Sequence, residues 1–293
     1  MALTRTQILA AGLVLAVGLG TAAVAWQHHD QPATPVSAVV AEVPPMPMDN
    51  IHIMPHRALY EMRLADSDAN SSVNNVGGKM MFTWADACDG WTIEQRLDLG
   101  FFYNGGSKQR VKTSLATWEA KDGSAFRFSV RRTVNGEEKE TFQGHAQLAK
   151  DGSGNAEYSK PDGKEVNLSP KTLFPTVHTL QILRQALAGQ HHVTGSVFDG
   201  ADEPGQNDVS AFIGREEKIV SPKDAQHKEL RQGRGWPVQM AFFSPDNKSG
   251  TPDYEMEMTL LENGVAHDLL IDYGDFTVKA TLKEIEPLKK PAC

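Results

Sequence analysis

From Ala58 onward the chain alternates apolar and polar residues with a period of two. In "ALYEMRL" one face carries Ala58, Tyr60, Met62 and Leu64, and in "KMMFTWA" it carries Met80, Phe82 and Trp84. After a "CDG" turn, "WTIEQRL" sets Trp91, Ile93 and Leu97 against Thr92, Glu94 and Arg96. "AFRFSV" and "YEMEMTL" repeat the device with Phe126, Phe128 and Val130, and with Tyr254, Met256, Met258 and Leu260. Successive side chains of a strand point to opposite faces, so this pattern predicts half-buried antiparallel strands. Tight-turn dipeptides punctuate the runs: Asp122-Gly123, Asn135-Gly136, Asp151-Gly152, Asp162-Gly163 and Asn263-Gly264. Leu269, Ile271 and Tyr273 share one parity, whereas Phe276, Val278, Ala280 and Leu282 share the other, which predicts a β-bulge at Gly274.

One stretch departs from alternation. "LFPTVHTLQILRQALAG" places Val177, Leu180, Leu183 and Leu187 at helical spacing, with Pro175 or Thr176 near the start and Gly189 past the end. It predicts a helix over about 175–188, whose apolar stripe needs a surface to cover. The expected fold is therefore mainly β, an antiparallel sheet curled into a barrel or open barrel with one central helix.

The first residues do not join this pattern. Residues 1–25 have a short segment with Arg5, an apolar run from Ile8 to Ala25 and the small-residue triplet Ala23-Val24-Ala25. This is the layout of a secretory signal peptide cut after Ala25; an uncleaved anchor is the alternative, and either exports the remainder. The apolar run is not followed by a lipid-acceptor cysteine. Residues 26–55, rich in Pro, Ala, Val and Met, read as an extended linker, which leaves 56–293 as one β domain.

Charge narrows the partners. The net charge of −8 becomes −9 when the signal segment takes Arg5 with it. An acidic chain lacks the basic footprint that nucleic acid or anionic headgroups require, so membrane association is expected only through an uncleaved N-terminal segment. In an oxidising compartment the two cysteines, Cys88 and Cys293, pair as a disulfide with one possible connectivity. A free redox thiol or an intermolecular bridge are the alternatives, although neither cysteine lies in a C-x-x-C motif.

Candidate chemistry is sparse. The ten histidines are scattered; "HIMPH" sets His52 and His56 four apart around Pro55, where a helix is disfavoured, so neither a metal nor any other cofactor is expected. His178, one position off the helix stripe, reads as a hydrogen-bonded structural residue. Bridged cysteines supply no thiolate, and neither a G-x-S-x-G elbow nor a phosphate loop is present. Glu262, Asp268, Asp272 and Asp275 in "ENGVAHDLLIDYGDF" could converge near one hairpin, as glycosidase carboxylates do, but strand and turn roles account for them as well. Trp84, Trp91, Trp118, Trp236 and Phe242, with Phe101, Phe102 and Phe243, are core residues or the lining of an apolar concavity for an acyl chain or peptide.

Taken in order, "HRALYEM", "ACDGWTIEQR", "FRF", "LFPTVHT", "VFDGAD", "IGR", "GWPVQMAFF", "ENGVAHDLLIDYGDF" and the final cysteine resemble the EipB family of periplasmic cell-envelope integrity proteins of Gram-negative alphaproteobacteria. The resemblance runs from about His56 to Cys293, and the Pro-rich segment before it lies outside. It implies a long antiparallel sheet curled into a spiral, broken-barrel shape plugged by a helix, and a disulfide between Cys88 and Cys293. It further implies a non-enzymatic role in envelope integrity under stress, with a periplasmic tetratricopeptide-repeat protein as one type of partner. Likeness of shape to lipoprotein carriers makes a lipoprotein or acyl chain the alternative ligand.

Overall fold

The computed structural model describes residues 51–202 and 205–293. The signal peptide and all but the last residues of the linker lie outside the described residues. The first half of the fold runs as β1 (His56–Ser67), β2 (Val73–Asp86), β3 (Gly90–Tyr103), β4 (Lys108–Ala120), β5 (Ala125–Val134), β6 (Glu137–Leu148), β7 (Gly154–Lys160) and β8 (Lys164–Leu168). The short β9 (Thr172–Leu173) leads into α1 (Pro175–Leu187). Then come β10 (His192–Phe198), β11 (Gln206–Ile213), β12 (Glu217–Ile219) and the single-turn α2 (Lys228–Arg231). The last four strands are β13 (Gly233–Phe243), β14 (Tyr254–Leu261), β15 (Ala266–Asp272) and β16 (Phe276–Pro287).

All sixteen strands among the described residues belong to one sheet, and two meanders build it. β1 to β8 pair in sequence, β13 to β16 pair in sequence, and β1 joins the two by pairing antiparallel with β16. β11, β10 and β9 extend the second meander, β9 lying parallel to β10, and β12 pairs with β13 off this path. The two sheet edges, β8 and β9, are consecutive in the chain, so residues 169–171 step from one edge to the other. Such a step demands that the sheet curl almost into a closed barrel, which is the architecture that alternation predicts.

Each strand supplies one inward face. Along β4, Gln109, Val111, Thr113 and Leu115 are buried between exposed Lys108, Arg110, Lys112 and Ser114. The helix fills the interior: Leu180, Ile182, Leu183 and Ala186 join the core with Val193 and Val197 of β10 and Val209 and Ala211 of β11. Before α1, Phe174 stacks on Phe126 at 5.0 Å, within an aromatic cluster that includes Phe128, Tyr158 and Phe198. Val177 and Leu187, two members of the expected stripe, are only half-buried, and Thr176 and His178 are buried in their stead. Inside a barrel a helix meets walls on several sides, so one stripe does not exhaust its buried surface.

Two expectations are corrected. Ile53 is buried, the Met54 N–H donates to the Asn263 carbonyl at 3.0 Å, and the Pro55 carbonyl accepts from Leu288 N–H at 2.8 Å, so 51–55 belong to the folded domain, not to a linker. Gly274, at φ 89°, lies in the hairpin turn between β15 and β16 and not in a bulge, because Tyr273 N–H already bonds the Phe276 carbonyl. The parity change is that of two strands joined by a turn; the true bulge is opposite Met258, where Asp268 adopts φ 50°. Cys88, in the β2–β3 turn, is bonded to Cys293, with sulfurs 2.07 Å apart, and no free cysteine remains. The bridge fastens the tail beyond β16 to that turn.

Candidate functional site

Between the sheet and the first turns of α1 lies a cavity of about 170 Å³. Inward positions of adjacent strands build one wall: Tyr60 of β1, Met80, Phe82 and Trp84 of β2, Ile93 and Gln95 of β3, Leu115 and Thr117 of β4, and Phe126 of β5. Met256, Met258 and Leu260 of β14, Ala266 and Leu269 of β15 and the turn residue Gly264 form the facing wall, and α1 closes it with Pro175, Thr176 and Thr179. Asp199, just past β10, completes the lining. The lining holds no lysine, arginine or histidine, so it offers neither a cation for an anionic headgroup nor an imidazole to activate a hydroxyl. Three methionines give its walls side chains that repack easily.

Most polar groups here are engaged within the protein. Gln95 Nε2 donates to Met80 Sδ at 2.9 Å, Tyr60 OH to the Ala266 carbonyl at 2.8 Å, and Thr179 Oγ1 to the Pro175 carbonyl at 3.0 Å. Asp199 differs. Its Oδ1 accepts the Ala201 N–H at 2.9 Å, whereas Oδ2 has no partner among the described residues, and the residue is 1% exposed. Burial, and then the charge of Asp202, push its carboxyl well above the usual carboxylate range, which favours the neutral acid. Gly200 fixes the turn behind it: at φ 64° the backbone favours glycine, and a Cβ there would stand 2.5 Å from the Phe128 ring.

Glu119 holds the helix in place. α1 begins at Phe174 with no side-chain cap of its own, and its free N–H groups turn to β4. Thr176 N–H donates to Glu119 Oε2 at 2.7 Å and Val177 N–H to Oε1 at 2.8 Å, so a strand carboxylate caps the helix that plugs the barrel. Burial raises this carboxyl to about 7 against the pull of those donors. His178 in the same turn is fully buried, neither ring nitrogen is bonded among the described residues, and burial lowers it to about 4. The expectation of a hydrogen-bonded histidine is therefore corrected: His178 is buried as a neutral ring, as an apolar side chain would be.

The five aromatics singled out from the sequence are not gathered into one surface. Trp84 borders the cavity. Trp91 meets Trp84 edge-on at 6.0 Å and lies under the Lys121 ammonium. Trp118 lies under Arg127, Trp236 is buried beneath Arg234, and Phe242 stacks on Tyr254 at 4.3 Å. Nor do the four carboxylates converge. Glu262 pairs with Arg234 before β15, whereas Asp272 accepts the Gly274 N–H and Asp275 the Ser71 hydroxyl after it. The length of β15 separates them, about 20 Å at ~3.4 Å per residue. Glycosidase carboxylates stand only about 5–9.5 Å apart. Asp268 occupies the bulge. His52 is exposed, His56 Nδ1 bonds the Met54 carbonyl at 2.8 Å, and no group of three metal-ligating side chains occurs among the described residues.

Sequence reasoning overlooked Asp199, Glu119 and Gln95, whereas Met80, Met256 and Met258 stand on the inward faces that alternation predicts. Parity was the available signal for two of them, since Glu119 shares it with Leu115 and Gln95 with Ile93 and Leu97.

Comparison with known proteins bears on the fold and the family. The chain is 27% identical over 239 residues to the cell envelope integrity protein EipB of Brucella abortus (strain 2308), which spans 80% of this chain and 85% of that protein. A crystal structure of a β-barrel-like protein of a domain of unknown function, also from Brucella abortus, superposes with a TM-score of 0.75 at 26% identity, covering 82% of this chain and all of that one. The EipB-like family model matches residues 47–289, starting nine residues earlier than the motifs alone indicate. The match covers most of the chain, which therefore belongs to the EipB-like family.

Proposed function

We propose that this protein acts in the periplasm as a non-catalytic binding protein that supports envelope integrity by docking on another envelope protein or a lipoprotein. The observation that carries the reading is the filling of the barrel by α1. Leu183 is fully buried, Leu180 and Ile182 are nearly so, and about 170 Å³ is left beside them. Pockets for drug-sized ligands span roughly 300–1,000 Å³. A carrier for a whole acyl chain needs the room that α1 occupies, which favours contact through the outer surface.

The relative's role in envelope integrity supports the physiological half of the proposal, and the Cys88–Cys293 bridge suits an oxidising compartment. A periplasmic tetratricopeptide-repeat protein is the partner type to test first, since such repeats present an extended concave surface. A strain lacking this chain is challenged with detergent and supplied with the wild-type protein or the Asp272→Asn, Asp275→Asn double variant. The deletion is expected to sensitise the cells, and both proteins are expected to restore growth. An insensitive deletion removes the envelope role; a folded double variant that does not rescue restores a hydrolytic reading.

A further inference from the structure

We propose that the cavity beside α1 is a binding site for an uncharged, mostly apolar carbonyl compound, one ring or a short chain in size, whose oxygen accepts a hydrogen bond from Asp199. The inference goes beyond the docking role and does not depend on it, because a partner on the outer surface leaves this interior space unused.

Size comes first. About 170 Å³ is enough for one ring, since an engineered apolar cavity of ~150 Å³ admits benzene. Chemistry comes next. The walls are aliphatic, aromatic and thioether side chains, and Gln95, Thr176 and Thr179 already bond within the protein. Two lining residues hold a buried polar atom without a partner among the described residues, Asp199 at Oδ2 and Trp84 at Nε1, and of these only Asp199 brings an oxygen. A buried polar atom without a partner is costly, so a ligand that supplies the partner gains affinity from relieving it.

The sign of the missing partner follows from the state of the acid. No cation lines the space to stabilise a carboxylate, and burial favours the neutral acid, which keeps Oδ1 on the Ala201 N–H and has an O–H to donate from Oδ2. It therefore calls for an acceptor, and a carbonyl oxygen is a strong one. An anion is disfavoured, because no cation lines the space and its own desolvation would go uncompensated.

The test uses the oxidised protein and three probes of similar size in titration calorimetry at pH 7: acetophenone, ethylbenzene and benzoate. Acetophenone and ethylbenzene differ mainly by one acceptor oxygen. Saturable one-to-one binding of acetophenone is expected, about fivefold tighter than ethylbenzene, as one net hydrogen bond gives, with benzoate weaker still. Asp199→Leu is expected to abolish the preference for acetophenone. Asp199→Asn is expected to keep it, because an amide retains the Ala201 bond and presents an N–H donor. Thr117→Phe, which fills the cavity from β4, is expected to remove binding of both neutral probes from a protein with unchanged circular dichroism. Equal affinity for the two neutral probes in the wild-type protein, binding of benzoate as tight as acetophenone, or no saturable binding by any probe would each overturn the proposal. The wild-type comparison decides even if Asp199→Leu does not fold.

Discussion

Glu119 and His178 are two titratable groups buried at the first turn of α1 and displaced in opposite directions, which makes the pH dependence of stability separable by mutation. The folded Glu119 carboxyl titrates at about 7 against an ordinary 4.5, so between those values the native state keeps a proton that the unfolded chain releases. Its contribution is therefore complete below pH 4.5 and lost as pH rises through 7, roughly 3 kcal/mol in all at ~1.4 kcal/mol per tenfold change in proton affinity. His178 titrates at about 4 against 6.5, so over that interval the unfolded chain binds the extra proton. Its contribution is complete above pH 6.5 and lost as pH falls through 4, again roughly 3 kcal/mol. Between about pH 4.5 and 6.5 the two slopes nearly cancel. Glu119→Gln exposes the histidine slope, and its stability relative to wild type is expected to rise from pH 4.5 to 7. His178→Leu exposes the carboxylate slope, and its stability relative to wild type is expected to fall from pH 4 to 6.5. Urea denaturation at half-unit steps of pH measures both, and the difference from wild type cancels every group common to the proteins. If Glu119→Gln runs parallel to wild type across pH 4.5–7, the helix N–H groups compensate burial in full and the cap is an ordinary ionised carboxylate.

Other expectations are simpler. Reducing the protein, or replacing Cys88 by Ser, opens a closure of 205 residues and is expected to lower stability by up to about 5 kcal/mol without abolishing the fold; equal melting of oxidised and reduced samples would show that the bridge contributes nothing. Leu183→Ala, at a fully buried site on the plug, is expected to cost roughly 3 kcal/mol in chemical denaturation, and a loss below about 1 kcal/mol would mean that the helix is not seated in the barrel. Gly200→Ala places a Cβ against Phe128 from a left-handed backbone and is expected to cost about 2 kcal/mol or more, with an unchanged melting temperature counting against the loop geometry.

The strands, the tight turns and α1 were legible because each is a local statement, a period or a dipeptide. Curvature is not local. A strand on the wall of a plugged barrel and one on a flat sheet show the same alternation, so nothing in "KMMFTWA" says that Trp84 meets open space while Trp236 and Phe242 meet other side chains. The cavity draws on strands from both ends of the chain, and no sequence window contains it. Glu119 and Gln95 were hidden for a different reason. Their parity is inward, but their chemistry reads as surface until the helix N-terminus and the Met80 sulfur appear opposite them. Asp199 was hidden by its neighbour: Asp before Gly reads as a turn residue, which it also is.

The pairing of the first described strand with the last has a consequence for how the chain is made. β1 finds β2 as soon as one hairpin exists, and the first meander can zip up in order to β8. The opposite edge of β1 stays bare until β16 arrives, since His56 sits opposite Pro287. For the whole of that interval a growing chain displays a long strand with unanswered backbone groups, the feature by which nascent sheets stick to one another. Topologies dominated by such distant partners assemble slowly. A periplasmic holdase that shields the strand at His56–Ser67 until the whole chain has been exported is thus expected to raise the yield of folded protein.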